Sequence, residues 1–157
     1  MNLRLYNRIS LVFLNLRFII FILFLLLQTY DVSYFIEWSL GGSYQLFTLR
    51  FVIDYIASLF LSVVFFISSN VVKYRQSYMS NDANADRFIL LVLRFVISII
   101  FLITSPNIIT ILLGWDGLGL TSYALVIYYP TKKSSRAGIL TVIRNRVGDV
   151  CILISIS

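Results

Sequence analysis

The sequence predicts an all-α integral membrane protein with about five transmembrane helices. Three observations carry this. Apolar residues make up 59% of the 157 residues and charged residues only 13%, against roughly half and a quarter in a soluble domain. The apolar residues fall in runs of about 17–25, the length that crosses a ~30 Å hydrocarbon core. Most of the cations sit at the ends of those runs. A soluble helical bundle needs polar residues at every third or fourth place, and Phe18–Leu27 offers none.

The first hydrophobic segment is about Ile9–Thr29. It is long for a secretory signal, and no small-x-small cleavage site follows it. The linker Asp31–Arg50 is the longest. Within it Phe35–Trp38 and Tyr44–Thr48 flank Gly41-Gly42, which predicts a short hairpin. The second segment is Phe51–Val72. Asp54 lies four residues after Arg50, a spacing at which the two can pair on a helix as structural anchors. The polar linker Lys73–Arg87 follows, and then a short third segment, Phe88–Thr104. Ser105-Pro106 makes a tight turn, with Pro106 suited to the first position of the next helix. The fourth segment runs from Asn107 to Tyr129 and is closed by Pro130. The fifth runs from about Ala137 to Ser157. The expectation is one transmembrane domain over 1–157, with no internal repeat.

Orientation follows from the cations, because short loops on the inner side hold the Lys and Arg excess. Arg4 and Arg8 precede the first segment, and only Arg50 lies in the next linker. Lys73, Arg75 and Arg87 come next, the Ser-Pro turn has none, and Lys132, Lys133 and Arg136 fill the last linker. The alternation gives five crossings with the N-terminus inside, independently of hydropathy. It also accounts for the net charge of +6 by a membrane and not by nucleic acid. The single cysteine, Cys151, excludes an internal disulfide and a four-thiolate site. The absence of histidine argues against haem or zinc.

Asp116 stands in Leu112-Leu113-Gly114-Trp115-Asp116-Gly117-Leu118-Gly119-Leu120, near mid-membrane by residue count. A carboxylate there costs roughly 2.5–3.5 kcal/mol on insertion scales, so function is the default reading. Burial favours the protonated acid and a nearby cation the ionised one, so such a group can exchange a proton. Gly114, Gly117 and Gly119 leave room for close packing or water. The structural alternative is an Asp bonded to a neighbouring helix. The glycines do not make a nucleotide loop: the pattern is not Gly-x-Gly-x-x-Gly and lies inside an apolar helix. In Arg144-Asn145-Arg146-Val147-Gly148-Asp149, Arg146 and Asp149 share a helix face and can pair. Two readings stand open, an ion pair at the inner helix end and a polar relay at membrane depth. Lys132 and Lys133 read as interfacial anchors, and Tyr128 and Tyr129 as part of an aromatic belt.

The stretch from Ser105-Pro106-Asn107 through Leu112–Tyr123 and Val126–Tyr129 resembles the acid-bearing helix of the subunit 5 family of mitochondrial NADH:ubiquinone oxidoreductase, respiratory complex I. Ala137-Gly138, Leu140-Thr141 and Asn145–Asp149 are similar to the next helix of that family. Tyr34–Trp38 and Tyr78–Asp82 are similar to its earlier linkers. The motifs are long and specific from about Tyr78 onward, whereas the first thirty residues match in hydropathy alone. Invertebrate members look closest, since they too have Asp in the Gly-Trp-Asp-Gly position.

The resemblance implies an antiporter-like helical bundle in the inner mitochondrial membrane, here incomplete, with its N-terminus on the matrix side. It implies that Asp116 is the mid-membrane proton-exchanging acid and that Asp149 and Arg146 belong to its polar path. It implies an enzyme only as part of a complex, NADH:ubiquinone reductase coupled to proton translocation. No cofactor is expected in this chain: NADH, FMN, iron–sulfur clusters and ubiquinone would belong to other subunits. The expected partners are the other membrane-arm subunits and the lipid bilayer, not nucleic acid. The family's coupling lysines lie on later helices, so these 157 residues alone are not expected to pump.

Several residues depart from the family. Arg17 and Arg94 stand inside apolar segments without an acid three or four places away, and Arg144 stands where relatives commonly have a small polar residue. Only Met1 and Met79 are methionine, isoleucine is abundant, and the chain stops where relatives often continue with Trp. One cause accounts for all of this: a mitochondrial gene, or its nuclear copy, read with the standard genetic code, so that AGA/AGG gives Arg, AUA gives Ile and UGA gives stop. Two rival readings remain beside the complex I subunit. One is a subunit of a cation/proton antiporter, and the other is a membrane fragment without activity of its own.

Overall fold

A computed structural model describes residues 3–39, 48–78 and 85–157. The Gly41-Gly42 turn and the 79–82 part of the linker motif lie outside the described residues. Five helices and one two-stranded sheet follow in the order α1 (Leu3–Tyr30), β1 (Tyr34–Ser39), β2 (Thr48–Ile53), α2 (Tyr55–Tyr78), α3 (Ala85–Thr104), α4 (Ile108–Val126) and α5 (Lys132–Ile156). Within these helices Leu5–Tyr30, Tyr55–Ser77, Asp86–Thr104 and Ile108–Val126 are long and apolar enough to cross a membrane. α5 has 25 residues, roughly 37 Å of helix. Its apolarity is broken by Lys132, Lys133, Arg136, Arg144, Arg146 and Asp149, which sets it apart from the other four.

The described residues fall into two compact units. The first takes in 1–83 and 103–107, the second 84–102 and 108–157. In the first, α1 ends where Asp31 adopts a left-handed φ of 48°, a conformation that stops a helix. β1 then pairs antiparallel with β2, with Tyr34 opposite Ile53 and Glu37 opposite Arg50. Hydropathy alone starts the second helix at Phe51. The chain instead keeps Phe51–Ile53 in the strand and starts α2 at Tyr55. Asp54 marks that start, its Oδ1 accepting from the Tyr55 N–H at 2.8 Å.

This corrects the expected Arg50–Asp54 pair. Arg50 lies on a strand, where four-residue spacing does not bring side chains together. Its Nε instead meets Glu37 Oε1 at 3.0 Å across the hairpin.

α1 and α2 pack through Phe13 and Phe65, whose rings lie 5.8 Å apart, with Leu27, Ala57 and Val72 also buried. Ser10, Ser58, Ser62 and Ser68 are buried too. Each hydroxyl donates to a carbonyl three or four residues back, that of Ser58 to Asp54 just before α2 and the others within their own helix. Small residues with internally satisfied hydroxyls let two membrane helices approach without leaving a polar group in hydrocarbon. Arg17 finds an aromatic partner in place of an acid: its guanidinium lies 4.0 Å from the Phe66 ring centre. Asn107 ties back to the hairpin, its Nδ2 donating to the Thr48 carbonyl at 3.0 Å.

In the second unit α3 buries Ile89, Val92 and Val96, one helical face by their spacing. Its opposite face exposes Leu90, Arg94, Ile97 and Phe101. Phe88 and Tyr128 meet edge to face at 5.4 Å. α5 opens on a capping box, in which Thr131 and Ser134 each take up the other's backbone N–H. This satisfies two of the free donors that a helix N-terminus leaves.

Candidate functional site

The chemistry-bearing side chains meet where α4 and α5 run against each other. The contacts pair Trp115 with Gly148, Gly119 with Asn145, and Tyr123 and Ile127 with Gly138, so the two helices are antiparallel. Glycine allows this closeness. A Cβ at Gly119 would lie 2.7 Å from the Asn145 amide nitrogen, and one at Gly138 would lie 2.8 Å from Ile127. Gly114 and Gly117 do the same toward α3, against the Leu102 backbone and the Ser98 hydroxyl. The three glycines of α4 are therefore points of close approach, one of the two roles expected of them.

Asp116 lies midway along α4, and Arg146 and Asp149 lie past the middle of α5. Arg146 reaches across the helix pair. Its Nη1 is 3.3 Å from Asp116 Oδ1 and 3.9 Å from Asp149 Oδ2. The structure thus gathers all three candidate residues into one cluster, with a single guanidinium between two carboxylates. The Arg146–Asp149 pair lies inside α5, more than one turn from either helix end. The Arg146–Asp116 pair was not legible in the sequence, because no spacing rule links residues thirty positions apart on different helices.

The three side chains differ in environment. Asp149 is buried, with 11% of its side chain exposed, and neither of its oxygens takes a hydrogen bond among the described residues. Asp116 and Arg146 remain about half exposed. A carboxylate removed from water and held by one ion pair at 3.9 Å has lost hydration without full compensation. Arg146 sits closer to Asp116 than to Asp149. One guanidinium is thus shared by two carboxylates carried on different helices.

Sequence reasoning passed over Asn145, although Thr141, Asn145 and Asp149 stand at four-residue intervals on one face of α5. Arg94 and Arg144 are exposed and form no ion pair among the described residues. Arg144 lies amid exposed Leu140, Ile143 and Val147.

Residues 38–89 match the family model for the N-terminus of chain 5 of NADH-ubiquinone oxidoreductase (complex I). Residues 105–157 match that for the transmembrane region of NADH:quinone oxidoreductase and the Mrp antiporter. The NADH-ubiquinone oxidoreductase chain 5 of Locusta migratoria is 56% identical over 119 residues, 76% of this chain and 20% of that protein. That of Aedes aegypti is 50% identical over 141 residues, 89% of this chain and 24% of that protein. That of Anopheles quadriannulatus is 47% identical over 154 residues, 97% of this chain and 58% of that protein. The chain therefore spans between a fifth and somewhat over half of the length of these relatives.

Proposed function

Because this chain belongs to the family of NADH-ubiquinone oxidoreductase chain 5, we propose that it is a proton-translocating membrane-arm segment of that respiratory complex, with Asp116, Arg146 and Asp149 as its proton-exchanging cluster. The observation that carries this is the guanidinium of Arg146 shared between Asp116 on α4 and Asp149 on α5. Both helices lie within the matched transmembrane segment. A proton taken up by Asp149 releases Arg146 toward Asp116 and holds that acid ionised. A proton taken up by Asp116 does the reverse. A shift of one guanidinium between two acids passes electrostatic information without any redox chemistry in this chain. NADH, FMN, iron–sulfur clusters and ubiquinone are assigned to other subunits.

The same geometry supports a place in a larger assembly. Asp116 and Arg146 are about half exposed, and an ionised cluster facing hydrocarbon is costly. In the proposed setting, further helices of a longer chain cover this face and supply the second proton access. The chain then forms part of one transmembrane domain in the mitochondrial inner membrane, beside the other membrane-arm subunits. The cation pattern supports an N-terminus in the matrix.

The test replaces Asp116 by Asn in the assembled respiratory complex and follows proton uptake into sealed vesicles during NADH oxidation. Loss of coupled uptake with the complex still assembled supports the reading. Uptake at the parental rate overturns it. A second reading, a cation/proton antiporter subunit, draws on the Mrp antiporter named with the matched transmembrane family. It predicts proton movement driven by a sodium gradient without NADH, which the first reading does not.

A further inference from the structure

Asn145 lies on the α5 face that meets α4, together with Gly138, Thr141 and Asp149. Gly138 and Asp149 are buried, and Thr141 and Asn145 are half-buried. Thr141 turns its hydroxyl back on the Ala137 carbonyl at 2.8 Å, while no such internal bond occupies the Asn145 amide among the described hydrogen bonds. The amide instead fills a notch in α4. A Cβ at Gly119 would stand 2.7 Å from its nitrogen and 3.3 Å from its Cβ and Cγ. Any larger residue at 119 would displace the amide or part the helices. Asn145 precedes Arg146 directly and Asp149 by one turn, and Gly119 follows Asp116 by nearly one turn. The notch is thus about one helical turn from both acids.

We propose that Asn145 is a positioning residue for the Asp116–Arg146–Asp149 cluster. Seated in the Gly119 notch, its carboxamide fixes the approach of α5 to α4, and with it the reach of Arg146 to both acids. It also gives Thr141–Asn145–Asp149 a continuous polar edge. That edge runs from Thr141 to Asp149, nine residues and about 12 Å of helix, and ends at the buried acid. An amide suits this place because it donates and accepts at once. The charged groups on the two helices here are Asp116 from α4 and Arg144, Arg146 and Asp149 from α5. This rests on the proton-exchange reading of that cluster.

The experiment compares Asn145→Ala, Asn145→Ser, Gly119→Ala and the Gly119→Ala/Asn145→Ala double variant in the assembled complex. It scores NADH-driven proton uptake per assembled complex and its pH profile. Loss of the side chain that fills the Gly119 notch predicts a fall of about three- to tenfold for Asn145→Ala, short of the roughly 100-fold that a full 1 Å misplacement can cost. Gly119→Ala gives the same altered pH profile, the double variant is no worse than either single one, and Asn145→Ser retains more uptake than Asn145→Ala. If Asn145→Ala does not assemble, Asn145→Ser is scored against Gly119→Ala on the same profile. The proposal is overturned if Asn145→Ala keeps the parental rate and profile. It is equally overturned if uptake falls only in proportion to lost complex, or if the two single effects add. Asp116→Asn run alongside separates the two levels. If that variant pumps normally, the functional reading itself has failed. If it is inactive while Asn145→Ala is silent, only the role of Asn145 has failed.

Discussion

Gly114 and Gly148 allow the packing to be tested with the same chemical change at two places. Alanine in a helix gains about 0.5–1 kcal/mol over glycine, because the unfolded chain loses less freedom. At Gly148 the added methyl would meet only the Trp115 Nε1 at 3.6 Å, an ordinary contact. Gly148→Ala is therefore expected to stabilise the protein by that amount. At Gly114 the methyl would lie 3.1 Å from the Leu102 backbone nitrogen and 3.3 Å from its Cα. Backbone cannot swing aside, so α3 and α4 must separate by several tenths of an ångström. Overpacking of this kind costs about 1–3 kcal/mol. The propensity gain is common to both variants and cancels in their difference. Gly114→Ala should therefore be about 1–3 kcal/mol less stable than Gly148→Ala. Unfolding in mixed micelles by increasing sodium dodecyl sulfate, followed by circular dichroism, measures this. Equal stabilities, or a more stable Gly114→Ala, would refute the close approach of α3 to α4.

Three more outcomes follow. Replacing Arg94 with Leu on the exposed face of α3 should favour membrane insertion of that segment by about 2.5–3.5 kcal/mol, seen as a larger inserted fraction in a glycosylation-reporter assay; unchanged insertion would mean that the arginine is not lipid-facing. The Glu37–Arg50 pair is about half exposed on both sides. A double-mutant cycle on hairpin stability should return a coupling of about 0.2–1 kcal/mol, and a coupling well above that range would point to a buried pair. Arg17, Arg94 and Arg144 are each expected to be encoded by AGA or AGG, which sequencing of the locus reads directly. CGN codons would make the arginines genuine and remove the misreading account.

Four membrane helices were legible because an apolar run long enough to cross a bilayer has few other uses; α5, which the cation alternation counts as a fifth crossing, is a helix interrupted by charges. The start of α2 was not legible. Phe51, Val52 and Ile53 are as apolar as a helix requires, and only their pairing with β1 makes them strand. The same pairing gave Arg50 to Glu37, a partner thirteen residues away that no helical spacing points to. At the site, Asp116 declared itself by the cost of a carboxylate in an apolar helix, and Arg146 and Asp149 by their three-residue interval. Their meeting depends on glycines that let α4 and α5 approach. A glycine in a sequence says that room exists but not what fills it. Asn145 in the Gly119 notch and Leu102 against Gly114 belong to that second kind of information. So does Arg17 over the Phe66 ring, where an aromatic face on another helix stands in for the acid that the local sequence lacks.

The central claim is that Asp116 changes protonation while the respiratory complex turns over. Infrared difference spectroscopy of the assembled complex in lipid, taken with and without NADH, reads protonated carboxyl groups directly. The account predicts a carboxyl band that appears or shifts on turnover and is lost in Asp116→Asn, with the rest of the spectrum retained. A turnover spectrum that is the same with Asp and with Asn at position 116 would contradict it.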